Sequence, residues 1–173
     1  EMCIRDRVAW GAKCVLPKPR LQEELPRVGE APFDSGRKMM STIHKKDNGY
    51  VQFTKGGPDV VLERCTSYWD SGIVRPMTEE KRAEILAANK AMADKALRVL
   101  AAAQRTYDAL PASMEADDLE HDLCFLGLAG MIDPVRPEVK AAIEECRQAG
   151  IRPIMITGDH IDTCLLYTSD AAD

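Results

Sequence analysis

KMMSTIHKKDNGYVQFTKGGPD, residues 38–59, carries the clearest structural signal in this sequence. KMMSTIHK suits a β-strand, DNG at 47–49 is a strong signal for a hairpin turn, and YVQFTK suits the returning strand. Pro58 then stands where helices prefer to begin, so we predict a short helix over Asp59–Arg64. The stretch therefore predicts two antiparallel strands followed directly by a helix.

Helical patterns occur elsewhere in the chain. Thr78 is a predicted N-cap, and two glutamates and a run of apolar residues at helical spacing follow it. Pro137 opens a second helix, PEVKAAIEECRQAG, which Gly150 ends. Upstream, the proline-punctuated residues 8–32 give no clear pattern, apart from a candidate short helix at Leu21–Leu25.

Three further stretches have the composition of strands. LRVLAAAQRTY at 97–107 fits a strand or a helix, and we favour a strand because it follows a long helix and alternates near its start. An acidic loop at 115–122 separates it from LCFLGLAGMI, which is predicted as a buried strand. IRPIMI at 151–156 is predicted as another. From the pattern alone, 124–132 and 151–156 would pair in one right-handed βαβ unit.

The composition of the 173 residues fits an ordinary soluble globular protein, with 45% hydrophobic and 29% charged residues. The net charge of −5 argues against a nucleic-acid surface, which would need a basic face. Six cysteines without a CxxC pair and three scattered histidines argue against a zinc site, so no metal ligand is assigned. No apolar run approaches the roughly 20 residues that span a bilayer.

The two ends of the sequence differ from the rest. Residues 1–7 and 164–173 have neither periodicity nor helix caps, and they resemble translated sequencing adapter. We expect both ends to be non-native and exclude them from the fold prediction. We also expect the chain to be an internal fragment of a longer protein.

Lys55, Gly56 and Gly57 close the second predicted strand and allow two interpretations. In one, the ammonium group meets an anionic or aromatic ligand, and the glycines let that ligand approach the backbone. In the other, the segment is a loop with a solvated lysine, which is the commoner case for an isolated KGG. Neither GxxxxGK nor GxGxxG occurs, so the usual phosphate-binding loops are absent from the sequence.

TGDH follows the last predicted strand and also allows two interpretations. The hydroxyl of Thr157 and nearby amides suit a phosphoryl oxygen, Gly158 allows close approach, and Asp159 suits Mg²⁺ or a neighbouring cationic side chain. Such a cluster would lie at the sheet edge where open α/β sheets bind ligands. The alternative is a helix cap after a strand, which the tripeptide taken alone favours.

PFDSGRKMMS contains an aromatic ring followed by two cations. Phe33 could stack on adenine while Arg37 and Lys38 hold phosphates. Equally, Phe33 could belong to the core and the cations to a solvated edge, which is the commoner arrangement. Arg98 either extends along an apolar strand or offers its planar guanidinium to phosphates.

Four motifs in order form a pattern that none of them makes alone. FDSGRKMMS, KGGPD, LRVLAAAQR and GMIDPVRPEVKAAIEECRQAGIRPIMITGDH together resemble the cytoplasmic portion of a P-type cation-transporting ATPase, most closely the calcium-pumping type. The resemblance covers nearly all of residues 8–163. Its last motif is long and specific: Asp133, Pro134, Arg136 and Pro137 match the family at the correct spacing from residues 157–159.

The resemblance implies an α+β nucleotide-binding domain, an antiparallel sheet flanked by helices, over residues 8–132. It also implies a hinge at 133–136 and a partial α/β phosphorylation domain of haloacid-dehalogenase-like fold over 137–163. The family boundary at Asp133–Pro134 assigns the strand 124–132 to the nucleotide-binding domain. It therefore argues against the βαβ pairing that the pattern alone suggests.

For the site, the resemblance implies ATP together with Mg²⁺. Phe33 would stack on adenine, Lys38, Lys55 and Gly56 would line the nucleotide pocket, and Arg98 would reach the phosphates. The resemblance assigns the hinge and one wall of the phosphorylation site to five further residues: Asp133 and Arg136, and Thr157, Gly158 and Asp159.

The parent protein implied by the resemblance is a membrane pump. It would transfer a phosphoryl group from ATP to its own aspartate and couple this step to the movement of a cation such as calcium. The segment would lie at the cytoplasmic face, with ATP and the rest of the pump as partners and no nucleic acid. Neither DKTGT nor GDGxND occurs, so the phosphorylated aspartate is absent and the chain alone is not expected to be catalytic. KGGPD also replaces the family's usual KGAPE, which adds a glycine at position 57.

Two alternative functions remain open from the sequence. A free-standing phosphatase of haloacid-dehalogenase type needs an aspartate nucleophile at a strand end, and ADDLEHD at 116–122 is predicted as a polar loop instead. A non-catalytic interaction domain would make all four motifs structural.

Overall fold

The computed structural model describes residues 2–95, 97–132, 137–152 and 154. The helices in this part of the chain are α1 (Met2–Lys13), α2 (Lys18–Glu24), α3 (Pro58–Glu63), α4 (Glu79–Ala93), α5 (Ala116–Leu119) and α6 (Pro137–Gln148). The strands are β1 (Arg27–Asp34), β2 (Met39–Lys46), β3 (Gly49–Gly56), β4 (Cys65–Asp70), β5 (Ile73–Pro76), β6 (Arg98–Tyr107) and β7 (Leu123–Met131). Within the described residues, none of the helices combines the length and the apolar character that crossing a bilayer requires.

The chain divides into two compact units. Of the described residues, the first unit contains those up to Leu86 and Leu100–Ala129, and the second contains those within Ala87–Val99 and those from Gly130 to residue 154. Phe33, Lys38 and Lys55 all belong to the first unit. The candidate ligand-binding surface is therefore built within that unit.

The strands form one seven-stranded sheet in the order β1-β2-β3-β6-β7-β4-β5. The pairs β1–β2, β2–β3, β3–β6 and β4–β5 are antiparallel, whereas β4 and β7 run parallel. The expectation of an antiparallel sheet is therefore wrong in part, because the sheet is mixed. The reason lies in the connection: a long segment containing β5, α4, β6 and α5 joins β4 to β7, and only such a crossover can join parallel neighbours.

The strongest local predictions are confirmed. Strands β2 and β3 form the predicted hairpin, with Lys46 opposite Gly49, and α3 begins at Pro58. The segment that fitted either a strand or a helix is the strand β6. The Thr78 hydroxyl caps α4 by accepting a hydrogen bond of 3.2 Å from the backbone amide of Lys81. The predicted helix after Pro137 is α6.

Other predictions were wrong or incomplete. The expected acidic loop at 115–122 contains α5, and its residues Leu119 and Glu120 are buried. Strand β1 was not predicted, because proline and polar residues interrupt its alternation. Strand β7 is fully buried only over its first three residues. Of the strand predicted at 151–156, the structure describes only residues 151, 152 and 154, which are not in a strand.

One face of the sheet carries the core of the first unit. A larger apolar cluster joins α3 and α4 to the sheet through Val61, Leu62 and Ile85, and a smaller one packs Leu119 of α5 against β1 and β2. Along β2, the buried residues alternate with half-buried ones, as expected for a strand with one face in the core. The opposite face of β2 and β3 is thus left for other contacts.

Candidate functional site

Three neighbouring strands bring the candidate residues to one end of the sheet. Asp34 at the end of β1 pairs with Met39 at the start of β2, and Met39 pairs with Gly56 at the end of β3. Phe33, Lys38 and Lys55 each lie next to one of these paired residues in the sequence. The hairpin register therefore gathers three residues that the sequence separates by up to 22 positions.

Gly56 allows β3 to pass very close to β2 at this end. A Cβ atom at Gly56 would lie 2.5 Å from the carbonyl oxygen of Lys38 and 2.5 Å from the Cβ atom of Met39. Real Cβ atoms do not approach other atoms so closely, and the Lys38 oxygen belongs to the backbone and cannot swing aside. The absence of a side chain at Gly56 is therefore needed for this packing.

The backbone of Lys38 is held on both sides. Its amide donates a hydrogen bond of 2.8 Å to the carbonyl of Asp34, and its carbonyl accepts one of 3.0 Å from the amide of Gly57. Lys38 has a φ of 55°, which lies in the left-handed region that non-glycine residues seldom adopt. These two hydrogen bonds oppose that cost and join the turn before β2 to the turn after β3.

Lys55 lies on the face of β3 opposite the core. Its strand partner is Met40, and the buried residues Thr54 and Gly56 flank it. The lysine still reaches solvent, yet surrounding atoms crowd it enough that burial lowers its pKa, and the positive charges of Arg7 and Arg27 lower it further. Within the described part of the chain, no carboxylate forms an ion pair with Lys55. Arg27 is itself paired with Glu30, so the amine of Lys55 is the cation of this strand that remains for an anionic ligand.

Phe33 is an exposed aromatic ring. Its exposed fraction is 63%, and it lies where the pairing of β1 with β2 shifts register between Ala31 and Asp34. This exposure rules out the alternative that Phe33 belongs to the core. An uncovered ring beside lysines is suited to stack on a flat aromatic ligand.

Arg37 was considered as a phosphate ligand from the sequence, but in the structure it binds other parts of the protein. Its guanidinium donates a hydrogen bond of 2.5 Å to the Glu120 carboxylate and one of 2.7 Å to the carbonyl of Pro32. These bonds direct Arg37 into the protein, away from a ligand on the outer face. Glu120 is not predictable from the sequence, because a single glutamate in an acidic segment gives no signal of burial.

The remaining predicted residues belong to the second unit or lie outside the described residues. Arg98 begins β6 and belongs to the second compact unit, so its approach to the lysines stays a prediction. The hinge and phosphorylation-site residues lie outside the described residues: Asp133, Arg136, Thr157, Gly158 and Asp159. Within the described part, no group of three or more His, Cys, Asp or Glu side chains could hold a metal ion. The expected surroundings of Mg²⁺ therefore stay untested.

Comparison with known proteins gives matches to the family that the four motifs resemble. The family described as "P-type ATPase, cytoplasmic domain N" matches residues 9–138. Calcium-transporting ATPase 1 of Bacillus cereus is 47% identical over 160 residues, which cover 92% of this chain and 18% of the relative. Calcium-transporting ATPase lmo0841 of Listeria monocytogenes is 45% identical over 143 residues, covering 83% of the chain and 16% of the relative. The cation-transporting ATPase pma1 of Synechocystis is 41% identical over 157 residues, which cover 90% of this chain and 17% of the relative. The chain thus spans less than a fifth of the length of these relatives.

Proposed function

Since the chain belongs to the P-type ATPase family, in which it corresponds to the cytoplasmic domain N, we propose that it is the ATP-binding portion of a cation pump. The pump would transfer a phosphoryl group from ATP to one of its own aspartates and couple this to transport. Calcium is the proposed cargo, because the relatives with 47% and 45% identity are calcium-transporting ATPases. This segment would lie at the cytoplasmic face of the membrane that holds the rest of the pump.

The proposal extends to the domain organisation. The nucleotide-binding domain comprises residues 8–132, and 133–136 form a hinge that lets it move towards the site of phosphoryl transfer. Residues 137–163 begin a phosphorylation domain of haloacid-dehalogenase-like fold. In that domain, Thr157, Gly158 and Asp159 would face the transferred phosphoryl group.

One observation supports nucleotide binding most strongly: an exposed ring and two lysines lie at the same end of three paired strands. Phe33 stacks on the adenine, and Lys38 and Lys55 donate hydrogen bonds to the phosphates. Arg98 lies in the second unit, and only the resemblance to the family assigns it to the phosphates. Gly56 keeps the backbone of this surface free of a side chain that would push the two lysine-bearing segments apart.

The chemistry of the pump needs more than these residues. Phosphoryl transfer depends on positioning and on stabilising charge, and Mg²⁺ bound to the ATP phosphates neutralises part of that charge. The 173 residues contain no DKTGT segment, which would supply the phosphorylated aspartate. We therefore expect this chain to bind ATP without turning it over.

A binding titration tests the proposal. The chain is titrated with trinitrophenyl-ATP, and the complex is then displaced by ATP. Phe33→Ala is expected to weaken binding about 5- to 150-fold, since stacking of an aromatic ring on a base contributes roughly 1–3 kcal/mol. Its Tm should hardly change, because the ring is 63% exposed.

Trp69→Ala provides the matched control. Trp69 is another exposed aromatic residue, but it lies on β4, separated from β3 by two strands of the sheet. Its removal should leave nucleotide affinity unchanged. A folded chain that binds no nucleotide, or equal losses in the two variants, would refute the pocket assignment.

The proposed transport requires the complete gene. DKTGT upstream and GDGxND downstream, both in frame, are expected in the flanking sequence. Membrane vesicles containing the complete protein should then accumulate calcium only when ATP is supplied. Uptake of a different cation would support the assignment as a pump and refute calcium as the transported ion.

A further inference from the structure

Glu120 is a buried carboxylate that no sequence motif assigns to a function. Its side chain is 2% exposed, and it follows α5 directly. Burial of a charged group is unfavourable unless partners compensate it. Glu120 has two such partners, because one carboxylate oxygen accepts a hydrogen bond of 2.5 Å from Arg37 and the other accepts one of 3.1 Å from the Ser41 hydroxyl.

Arg37 connects Glu120 to the turn that carries Phe33 and Lys38. While one guanidinium nitrogen contacts Glu120, the second donates a hydrogen bond of 2.7 Å to the carbonyl of Pro32, the residue before Phe33. The backbone amide of Arg37 also donates a hydrogen bond of 2.9 Å to the carboxylate of Asp34. The single side chain of Arg37 thus spans the turn and fixes its two ends relative to Glu120.

Further hydrogen bonds attach this carboxylate to β2, β3 and α5. The Ser41 and Thr54 hydroxyls are 2.8 Å apart, and the Gln52 amide donates to Thr54 at 2.9 Å and to the carbonyl of Leu119 at 3.0 Å. In the described chain, every buried side-chain nitrogen or oxygen has a hydrogen-bond partner. A fully satisfied polar network of this kind is rigid and admits one arrangement.

The network lies on the opposite side of the sheet from Lys55. Ser41 and Thr54 pair across β2 and β3 on the buried face, whereas Met40 and Lys55 pair on the other. Glu120 therefore cannot touch a ligand held by Lys55. Arg37 connects Glu120 to the turn that carries Phe33 and Lys38, whereas Ser41 connects it to β2.

We propose that Glu120 is a positioning residue of the nucleotide site, which acts through Arg37 to hold the turn of residues 32–38 in its binding conformation. The inference rests on the proposed function, because it assumes that Phe33 and Lys38 contact ATP. Without the carboxylate, Arg37 loses its anchor, and the turn with its left-handed Lys38 samples other conformations. The binding-competent fraction of the chain falls, and the apparent affinity falls with it.

The test compares Glu120→Gln with Ser41→Ala in the 173-residue chain. Glu120→Gln keeps the shape of the side chain and removes the charge that holds Arg37. We expect nucleotide affinity to fall about 5- to 150-fold, the factor that corresponds to the cost of holding a strained turn in one conformation. Ser41→Ala removes the other hydrogen bond to the same carboxylate and leaves the Arg37 contact in place. It should lower the Tm without changing affinity. Both titrations are made well below the lower Tm, so that the folded chain is compared.

A double-mutant cycle with Arg37→Gln separates positioning from general structural support. If Glu120 acts through Arg37, its substitution has no further effect on affinity once Arg37 is replaced. Hydrogen exchange should also show loss of amide protection at residues 34–38 in Glu120→Gln and not in Ser41→Ala. If Glu120→Gln does not fold, Arg37→Lys is used, because lysine cannot reach Glu120 and Pro32 with a planar fork.

The outcomes distinguish this inference from the proposed function. If the wild-type chain binds nucleotide and Phe33→Ala weakens binding, but Glu120→Gln and Arg37→Lys bind as tightly as wild type, the role of Glu120 is refuted and the pocket stands. Independent, additive losses in the cycle would also refute it. If the wild-type chain binds no nucleotide, the proposed function fails and the positioning role fails with it.

Discussion

Replacement of Gly56 by alanine should destabilise the chain and disrupt the candidate site. The new Cβ atom would lie 2.5 Å from the Lys38 carbonyl oxygen, 2.5 Å from the Met39 Cβ atom and 2.8 Å from the Met39 Cα atom. An ordinary contact begins at 3.4 Å, so β2 and β3 must separate by about 1 Å at this end. The hydrogen bond between the Gly57 amide and the Lys38 carbonyl, now 3.0 Å long, then exceeds the usual range.

The expected cost follows from three contributions. Overpacking of a tight site costs about 1–3 kcal/mol, and the lost hydrogen bond adds about 0.5–1.5 kcal/mol. The reduced entropy of the unfolded chain offsets about 0.4–1 kcal/mol. The net loss is about 0.5–4 kcal/mol, which should lower the Tm by roughly 1–16 °C for a chain of this size. Urea unfolding followed by circular dichroism measures the free energy directly.

Gly57→Ala is the control, because a Cβ atom at Gly57 would first meet a movable side chain, whereas one at Gly56 would meet backbone atoms. Gly57 has a φ of −58°, which any residue can adopt, and its nearest neighbour would be the carboxylate oxygen of Asp59, the far end of a side chain that can move. Alanine at position 57 should leave stability unchanged or raise it by up to about 1 kcal/mol. If Gly56→Ala is as stable as wild type, or if both substitutions lower the stability equally, the close packing of β2 against β3 does not depend on the absence of a side chain at Gly56.

Two further predictions concern titratable groups. Burial and the charges of Arg7 and Arg27 lower the pKa of Lys55, so protonated Lys55 is less favourable in the folded chain than in the unfolded chain. Lys55→Met should therefore raise the Tm of the ligand-free chain at pH 7 and weaken nucleotide binding, with the Tm difference shrinking as the pH approaches 10.5; a lower Tm at pH 7 would contradict this. Burial raises the pKa of the Cys65 thiol to about 12, so at pH 8 iodoacetamide should label the exposed Cys14 rapidly and Cys65 only as the chain unfolds. Mass spectrometry that finds equal labelling of the two cysteines in the folded chain would contradict the burial of Cys65.

Local signals in the sequence predicted the hairpin and the helices α3, α4 and α6. The DNG turn fixes β2 against β3, Pro58 starts α3, and the Thr78 hydroxyl caps α4. Each of these signals acts over a few residues and needs no knowledge of the rest of the chain. The resemblance to a family then indicated which residues to examine for a site.

Long-range pairing could not be read from the same signals. The parallel contact of β4 with β7 depends on where a crossover of more than 50 residues returns, which no local pattern specifies. Glu120 illustrates the same limit for the site. A lone glutamate in an acidic stretch predicts a solvated loop, and its burial follows only from the position of Arg37, 83 residues earlier.

The alternation of β2 and β3 explains why their register matters for function. Ser41, Thr54 and Gln52 form the supporting network on the buried face, and Lys55 lies on the face that would meet ATP. Because side chains alternate with a period of two, a slip of one residue would bury the lysine and expose the network. The tight DNG turn opposes such a slip at one end of the hairpin, and the contact between Gly56 and Lys38 opposes it at the other. Gly56 therefore maintains the position of Lys55 as well as the closeness of the strands, so the loss of affinity in Gly56→Ala should exceed the loss expected from its stability alone.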